Sequence, residues 1–295
     1  MKLRYNVVDV FTDRPLAGNP LTIVLDADEL SQERMQAIAA EFGHSETAFI
    51  CKPRSLHHSA FVKIFTPRVE LPFSGHSTVG AAVAVGLRER ASGVRLEQHL
   101  GAITVVVERL SSRAGFARFA LPRLPERQNW SPDAERIAEA LSISAADIGC
   151  EGFEPAVYSA GVSYYLVPVR NSGVLAAIKP RFRGWFDLFS EGINAVYAFT
   201  RVPEEKGVEF GARMFTPDTR EDPATGSAAG AFVGLLAGQP DYADGNFDLS
   251  LRQGREMGRP SVITLQLRTT GGRLTHAGIG GRALIIAEGV MTLDE

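Results

Sequence analysis

Apolar and polar positions alternate or cluster along this chain in a way that predicts a mixed α/β protein. Residues 3–11 and 20–25 read as strands rich in Val, Ile, Leu, Tyr and Phe, bounded by Asp13-Arg14-Pro15 and Gly18-Asn19-Pro20. Ser31 is placed to cap a helix through about Glu41. Its apolar positions Met35, Ile38, Ala39 and Phe42 follow helical spacing, and Gly43 supplies the stop. Residues 47–51 and 60–65 read as strands, a helix is expected from about His76 to Arg90, and 94–98, 102–108 and 115–121 read as a strand meander.

Pro122 to Trp130 carries two prolines and several charges, which marks a linker. Ser131-Pro132-Asp133 then offers a helix cap, a first-turn proline and an early acid. The second half continues with strands near 156–160 and 164–169, a helical stretch at 172–178, strands near 194–200 and 208–215, and a helix from Gly226. Residues 261–267, 273–278 and 282–288 close the chain as strands.

One segment of this pattern occurs twice. Lys63-Ile64-Phe65-Thr66-Pro67 is echoed by Arg213-Met214-Phe215-Thr216-Pro217, and Pro72-Phe73-Ser74-Gly75-His76 by Pro223-Ala224-Thr225-Gly226-Ser227. Each copy runs into a stretch that is apolar nearly all round, from Val79 to Gly86 and from Ala228 to Leu236. A helix of that kind is buried on every side. The expected architecture is therefore two pseudo-symmetric lobes, each a rolled mixed sheet around a central helix. The N-terminal lobe spans 1–122 with strand 282–295 returning to it, and the C-terminal lobe spans 131–281. A cleft between such lobes is the expected place for a site.

Composition narrows the function classes. The chain has 295 residues, 45% of them hydrophobic and 22% charged, with a formal net charge of −3. That balance fits a globular protein and gives no electrostatic argument for nucleic acid or an anionic membrane. No run approaches the ~18 apolar residues of a membrane span. The opening Met1-Lys2-Leu3-Arg4-Tyr5-Asn6 alternates like a strand and lacks the continuous apolar core of a signal peptide, so a cytoplasmic protein is expected. Cys51 and Cys150 are isolated, which makes neither a disulfide framework nor a zinc site.

Both central helices begin at a glycine turn, and helix N-termini present unpaired N–H groups and partial positive charge. Two such ends could grip a small carboxylate; the plainer alternative is that Gly75 and Gly226 only permit tight turns. Polar residues stand beside each turn. Glu46 lies in His44-Ser45-Glu46-Thr47, His76 at the first turn, and Asp222 and Ser227 frame the second. Carboxylates, an imidazole and a hydroxyl make an acid/base set suited to proton transfer at carbon. Each could also be an ordinary surface or capping residue, Asp222 above all. Gly75-His76-Ser77-Thr78-Val79-Gly80 is not a nucleophile elbow, since its second glycine is one residue late. His44-Ser45-Glu46 lacks the cysteine pair of a zinc deaminase, and neither a dinucleotide nor a Walker pattern is complete. His57-His58 reads as a solvated loop pair, and nothing calls for a cofactor.

At these residues the chain resembles the phenazine-biosynthesis isomerase (PhzF-like) family. The resemblance is carried by Asp9-Val10-Phe11-Thr12 with Leu16-Ala17-Gly18-Asn19-Pro20-Leu21, by Ser45-Glu46-Thr47-Ala48-Phe49, and by Glu70-Leu71-Pro72-Phe73-Ser74-Gly75-His76. Glu221 to Ala228, Gln253 to Ser261 and the closing Gly280-Gly281 strand complete it. It implies the diaminopimelate-epimerase fold, a homodimer, and no metal or organic cofactor. It also implies an isomerase in which Glu46 moves a proton between carbons of a small cyclic or amino carboxylic acid, helped by His76 and Asp222. Ser227, Gly75 and Gly226 would then bind the carboxylate, with Asn19, Ser74, Ser77 and Thr225 also facing substrate. Epimerases of this fold carry a cysteine at each symmetric turn, where this chain has Ser74 and Thr225, so two-thiol racemisation is disfavoured. The family's first turn more often reads Ala and Pro where Ser74 and Ser77 stand. A binding protein without turnover on the same fold is the other reading.

Overall fold

A computed structural model describes residues 1–130, 133–181, 195–216 and 220–293. The chain divides into two units, one of residues 1–120 with 280–295 and one of residues 121–279. Ser131, Pro132 and Pro217, and the first residue of the strand expected at 194–200, lie outside the described residues.

The first unit contains β1 (Lys2–Val10), β2 (Asn19–Val24), α1 (Gln32–Phe42), β3 (Glu46–Cys51), β4 (Ala60–Phe65), β5 (Glu70–Leu71), α2 (Gly75–Glu89), β6 (Gly93–Gln98), β7 (Gly101–Arg109) and β8 (Ala114–Ala120). The second contains β9 (Glu126–Gln128), α3 (Ala134–Leu141), β10 (Ala156–Ser159), β11 (Ser163–Pro168), α4 (Ser172–Ala177), β12 (Val196–Arg201), β13 (Phe210–Phe215), β14 (Glu221–Asp222), α5 (Gly226–Ala237), β15 (Gly245–Gln253) and β16 (Ser261–Thr270). The last strand, β17 (Arg273–Thr292), leaves the second unit and ends in the first. Among the described residues no helix is long and apolar enough to cross a membrane.

In the first unit the strands close on themselves. β17 pairs antiparallel with β1, β1 with β2, β2 parallel with β3, β3 antiparallel with β4, β4 parallel with β6, and β6, β7 and β8 form the meander. β8 then returns to β17. Inside runs α2, buried from Gly75 to Gly86 and packed on β1 to β4 and β6 to β8. Outside, α1 covers Val24, Phe49, Phe61 and Phe65 through Met35, Ile38 and Ala39. The strands between the two helices are covered on both faces, which explains why β3 reads as an almost continuous apolar run instead of alternating. Local signals set the ends of α1 as the sequence predicts. The Ser31 hydroxyl accepts from the Arg34 N–H at its start, and Gly43 adopts φ 64° at its stop.

The second unit repeats the order. β11 and β12 are parallel, β12 and β13 antiparallel, and β13 and β15 parallel. Here α5 is the enclosed helix, buried on all sides, with Phe232 against Phe199 at 4.7 Å and Phe210 at 5.1 Å between ring centroids. α3 and α4 cover Tyr165, Val167, Val196 and Phe215 on the other face of the sheet.

Four features differ from the sequence reading. The expected linker contains β9, whose backbone pairs with β10 (Val157 opposite Gln128), so its proline-rich flanks frame a short strand. Gly245–Gln253 is a strand that the pattern did not predict. Its apolar Phe247, Leu249 and Leu251 alternate with Asn246, Asp248 and Ser250, and only its last three residues are buried. The two closing strands are one, running unbroken through Gly280-Gly281. The cap of α3 is Asp133, whose carboxylate accepts from the Glu135 and Arg136 N–H groups.

An enclosed helix needs small residues wherever the wall comes close. A Cβ on Gly80 would stand 2.6 Å from Leu21 Cδ2 and 3.0 Å from Val10 Cγ2. One on Gly234 would stand 2.7 Å from Tyr158 and 2.9 Å from Pro125. Replacing Gly80 with Val is expected to destabilise the protein by about 2 kcal/mol through overpacking, read as a drop in the urea midpoint. An unchanged midpoint would show that the wall yields freely there.

Candidate active site

The first turn is set by β5 and α2. Ser74 occupies the position before the helix with extended backbone (φ −150°, ψ 139°), yet its side chain makes no capping bond. The first N–H groups of an α-helix have no intrahelical partner, so the start of α2 remains a donor-rich end. Around it, Ser77 donates to Glu46 Oε2 at 2.5 Å, and the same oxygen lies 3.4 Å from His76 Nδ1. Ser74 Oγ is also 3.4 Å from that nitrogen. The side chains of Glu46 and His76 are 13% and 5% exposed, and His76 Nε2 is buried without a hydrogen-bond partner. Glu46 arrives from the first residue of β3, which lies beside β2.

Asn19, the first residue of β2, is fully buried and accepts from the Ser45 hydroxyl at 2.8 Å. It therefore holds the residue next to Glu46. Thr78 donates to the Ser74 carbonyl at 2.6 Å and accepts from Gln98 Nε2 at 2.8 Å, which ties the turn to the end of β6.

The second turn has the same backbone and different chemistry. Thr225 precedes α5 and makes no capping bond either. Its hydroxyl donates to Asp222 Oδ2 at 2.5 Å, so Asp222 is not an ordinary first-turn acid of the helix. Ser227 shares a hydrogen bond of 2.7 Å with the Tyr164 hydroxyl. Glu221 holds the strand before Asp222 through a two-pronged pair with Arg213, 2.8 Å at each oxygen. Arg213 also donates to the carbonyls of Leu175, Ala176 and Ile178 at the end of α4. Burial holds the Tyr197 phenol well above its ordinary range, reinforced by the nearby Asp222 and Tyr164, so it keeps its proton and is a hydrogen-bond donor here.

Thus Glu46, His76, Ser74, Ser77 and Gly75 gather at the first turn, and Asp222, Thr225, Gly226 and Ser227 at the second. Tyr164, Tyr197 and Gln253 were missed. Two of them sit in strands that read as plain core, and Gln253 ends the strand that the pattern did not predict. The Phe-Thr-Pro and glycine repeats could have pointed to it, since Gln98 and Gln253 end equivalent strands. Of the remaining histidines, His58 is not simply solvated: its Nδ1 bonds Glu97, and that contact comes first among the causes holding the Glu97 carboxyl below its ordinary value. His99 bonds Glu70 at 2.9 Å. Among the described residues no three His, Cys, Asp or Glu side chains gather as a metal-holding group.

Strand register identifies each residue's twin. Thr47 faces Phe65 as Val196 faces Phe215, so the residue equivalent to Glu46 is Ala195. Leu71 faces Ile64 as Asp222 faces Met214, which makes Leu71 the twin of Asp222. His76 corresponds to Ser227, and Ser74 to Thr225.

The fold sets a glycine turn at the start of each enclosed helix and the Glu46 carboxylate beside the first, and relatives of this chain are isomerases. The chain belongs to the phenazine biosynthesis-like protein family, whose model (PhzC-PhzF) matches residues 8–289. It is 40% identical to an uncharacterised isomerase of Mesorhizobium japonicum, over 97% of each chain. It is 33% identical to a trans-2,3-dihydro-3-hydroxyanthranilate isomerase of Pseudomonas chlororaphis, over 98% of this chain and 99% of the relative. Among solved structures it superposes on a PhzF-family phenazine biosynthesis protein of Bacillus anthracis with a TM-score of 0.88 and 26% identity, covering 99% of this chain and 100% of the other.

Neither cysteine lies at a turn. Cys51 ends β3, buried, and its thiol is pushed up to about 11, chiefly by desolvation and then by the Asp28 charge, with Lys63 opposing. A thiol reagent at pH 8 is expected to modify Cys51 at least about a hundredfold more slowly in the native protein than in the denatured chain, where a cysteine titrates near ~8.5. Equal rates would remove the burial argument.

Proposed function

We propose that the chain moves a proton between carbons of a small cyclic or amino carboxylic acid, with Glu46 as the base. One observation carries this reading: Glu46 is bonded to Ser77 and lies beside His76 at the N-terminus of an enclosed helix, while its twin is Ala195. Only one side of the repeat therefore offers a proton-moving carboxylate at that position. Glu46 takes the proton from an activated carbon as the bond electrons shift into the adjacent unsaturated system. The protonated Glu46 then returns it to another carbon, and the net change is an isomerisation. His76 and Asp222 orient the substrate. Ser227, with the N–H groups at Gly75 and Gly226, holds the carboxylate, because helix starts favour anions. Asn19, Ser74, Ser77 and Thr225 complete the lining.

The relative from Pseudomonas chlororaphis is named for trans-2,3-dihydro-3-hydroxyanthranilate, which is a cyclic amino acid, and it aligns along nearly the whole chain. That acid is the first substrate to test. The proposal carries with it the expectation of a cytoplasmic homodimer that works without a cofactor.

In heavy water the wild-type protein should give the isomerised acid, with up to one deuterium on carbon to the extent that protonated Glu46 exchanges with solvent before it returns the proton. Glu46→Gln should lower turnover by about 10³-fold or more, within or above the usual range for a general base, while ligand binding by thermal shift persists. Full turnover by Glu46→Gln would remove Glu46 from its role. Tight binding with neither isomerised product nor deuterium exchange in the wild type would make this a binding protein.

A further inference from the structure

The second turn is organised by one buried amide. Gln253, the last residue of β15, is 1% exposed and reaches four groups. Its Oε1 accepts from the Thr225 backbone N–H at 3.1 Å and from the Tyr197 hydroxyl at 3.1 Å. Its Nε2 donates to the Asp222 carbonyl at 2.8 Å and to Thr225 Oγ1 at 3.1 Å. A backbone N–H can only donate and a backbone carbonyl can only accept, so these two bonds fix which end of the amide is oxygen. The raised Tyr197 phenol agrees, being a donor to that oxygen.

The direction of every bond beyond the amide follows. Gln253 Nε2 donates to Thr225 Oγ1, which leaves the Thr225 hydrogen to point at Asp222 Oδ2, 2.5 Å away. Asp222 is thereby held twice, at its carbonyl by the amide directly and at its carboxylate through Thr225. From this network we infer that Gln253 is a positioning residue for the reaction: it sets the orientation in which Asp222 and the N-terminus of α5 meet the substrate.

The first unit shows that this is not a generic property of the fold. Ala60 pairs with Leu96 as Phe210 pairs with Leu251, so Gln98 is the twin of Gln253. Among the described residues Gln98 Nε2 reaches only Thr78 Oγ1, and its Oε1 is buried without a partner. The same side chain at the same register thus clamps an acid in one unit and a helix residue in the other.

The inference rests on the isomerase reading for its kinetic arm and is independent of it for its structural arm. Gln253→Met keeps the length and removes all four bonds. Tyr197→Phe removes one donor from a fully buried site without adding bulk, and serves if the Met protein does not fold. Thr225 amide hydrogen exchange, followed in the whole protein without substrate, should accelerate at least about tenfold in Gln253→Met while Leu251 and Ile263 amides keep their rates. Tyr197→Phe should show a smaller acceleration confined to the same amide. With trans-2,3-dihydro-3-hydroxyanthranilate, kcat should fall roughly ten- to a hundredfold in Gln253→Met while KM changes by less than about threefold, as expected for misplacement of an orienting group. Wild-type kcat and KM in Gln253→Met, or faster exchange throughout the second unit together, would overturn the inference and leave a packing role. If the wild-type protein does not turn over this acid, the substrate reading fails, while Thr225 exchange still decides whether Gln253 holds the turn.

Discussion

Much of this structure follows from enclosing a helix inside a sheet. α2 and α5 are surrounded by apolar wall, so their side chains must be small or apolar nearly all round, and their hydrogen-bonded backbones are satisfied internally. Their first turns are the exception. The leading N–H groups have no partner within the helix, and an unpaired polar group away from water is costly. Neither Ser74 nor Thr225 caps with its side chain. Each enclosed helix therefore presents a donor-rich end, and a polar constellation is built around it. Gly75 and Gly226 begin the helices, and the strand ends carrying Glu46, Gln98 and Gln253 deliver the surrounding side chains.

Duplication would make two equal ends, but the residues at equivalent positions have diverged. Glu46 is matched by Ala195, Asp222 by Leu71, and His76 by Ser227. A symmetric two-base inversion would use like groups at equivalent positions. The twins here supply a carboxylate and an imidazole in one unit, and a carboxylate with hydroxyls in the other. Cysteine is absent from both turns, and Cys51 is a buried thiol with its acidity suppressed.

Much of this was legible in the chain itself. The repeat at 63–86 and 213–236 predicted the paired enclosed helices, because an all-round apolar stretch after a glycine turn has few other homes. Ser31 and Gly43 marked α1 through local capping chemistry. What stayed hidden depends on long-range pairing. The strand 245–253 carries polar residues between its apolar ones and is buried only at its end, so periodicity alone did not distinguish it. Gln253 had no visible partner in sequence, since the groups it binds lie 28, 31 and 56 positions away. Tyr164 and Tyr197 read as core, and their hydroxyls acquire meaning only when β11 and β12 bring them to Ser227 and Gln253.

The two acids differ in how they are held, and that difference bears on what each can do. A group that moves a proton must be supported in both its states. Ser77 offers Glu46 a hydroxyl, which can donate to a carboxylate and, by rotating, accept from a carboxylic acid. The hydroxyl facing Asp222 has less freedom. Thr225 already accepts from Gln253 Nε2, and its hydrogen is directed to Asp222 Oδ2. With one lone pair already taken by the amide, Thr225 could accept from an Asp222 protonated on that oxygen only by turning its hydrogen to the one direction that remains. Under the proposed isomerisation this difference favours Asp222 as the acceptor that orients a donor on the substrate and Glu46 as the group that cycles the proton.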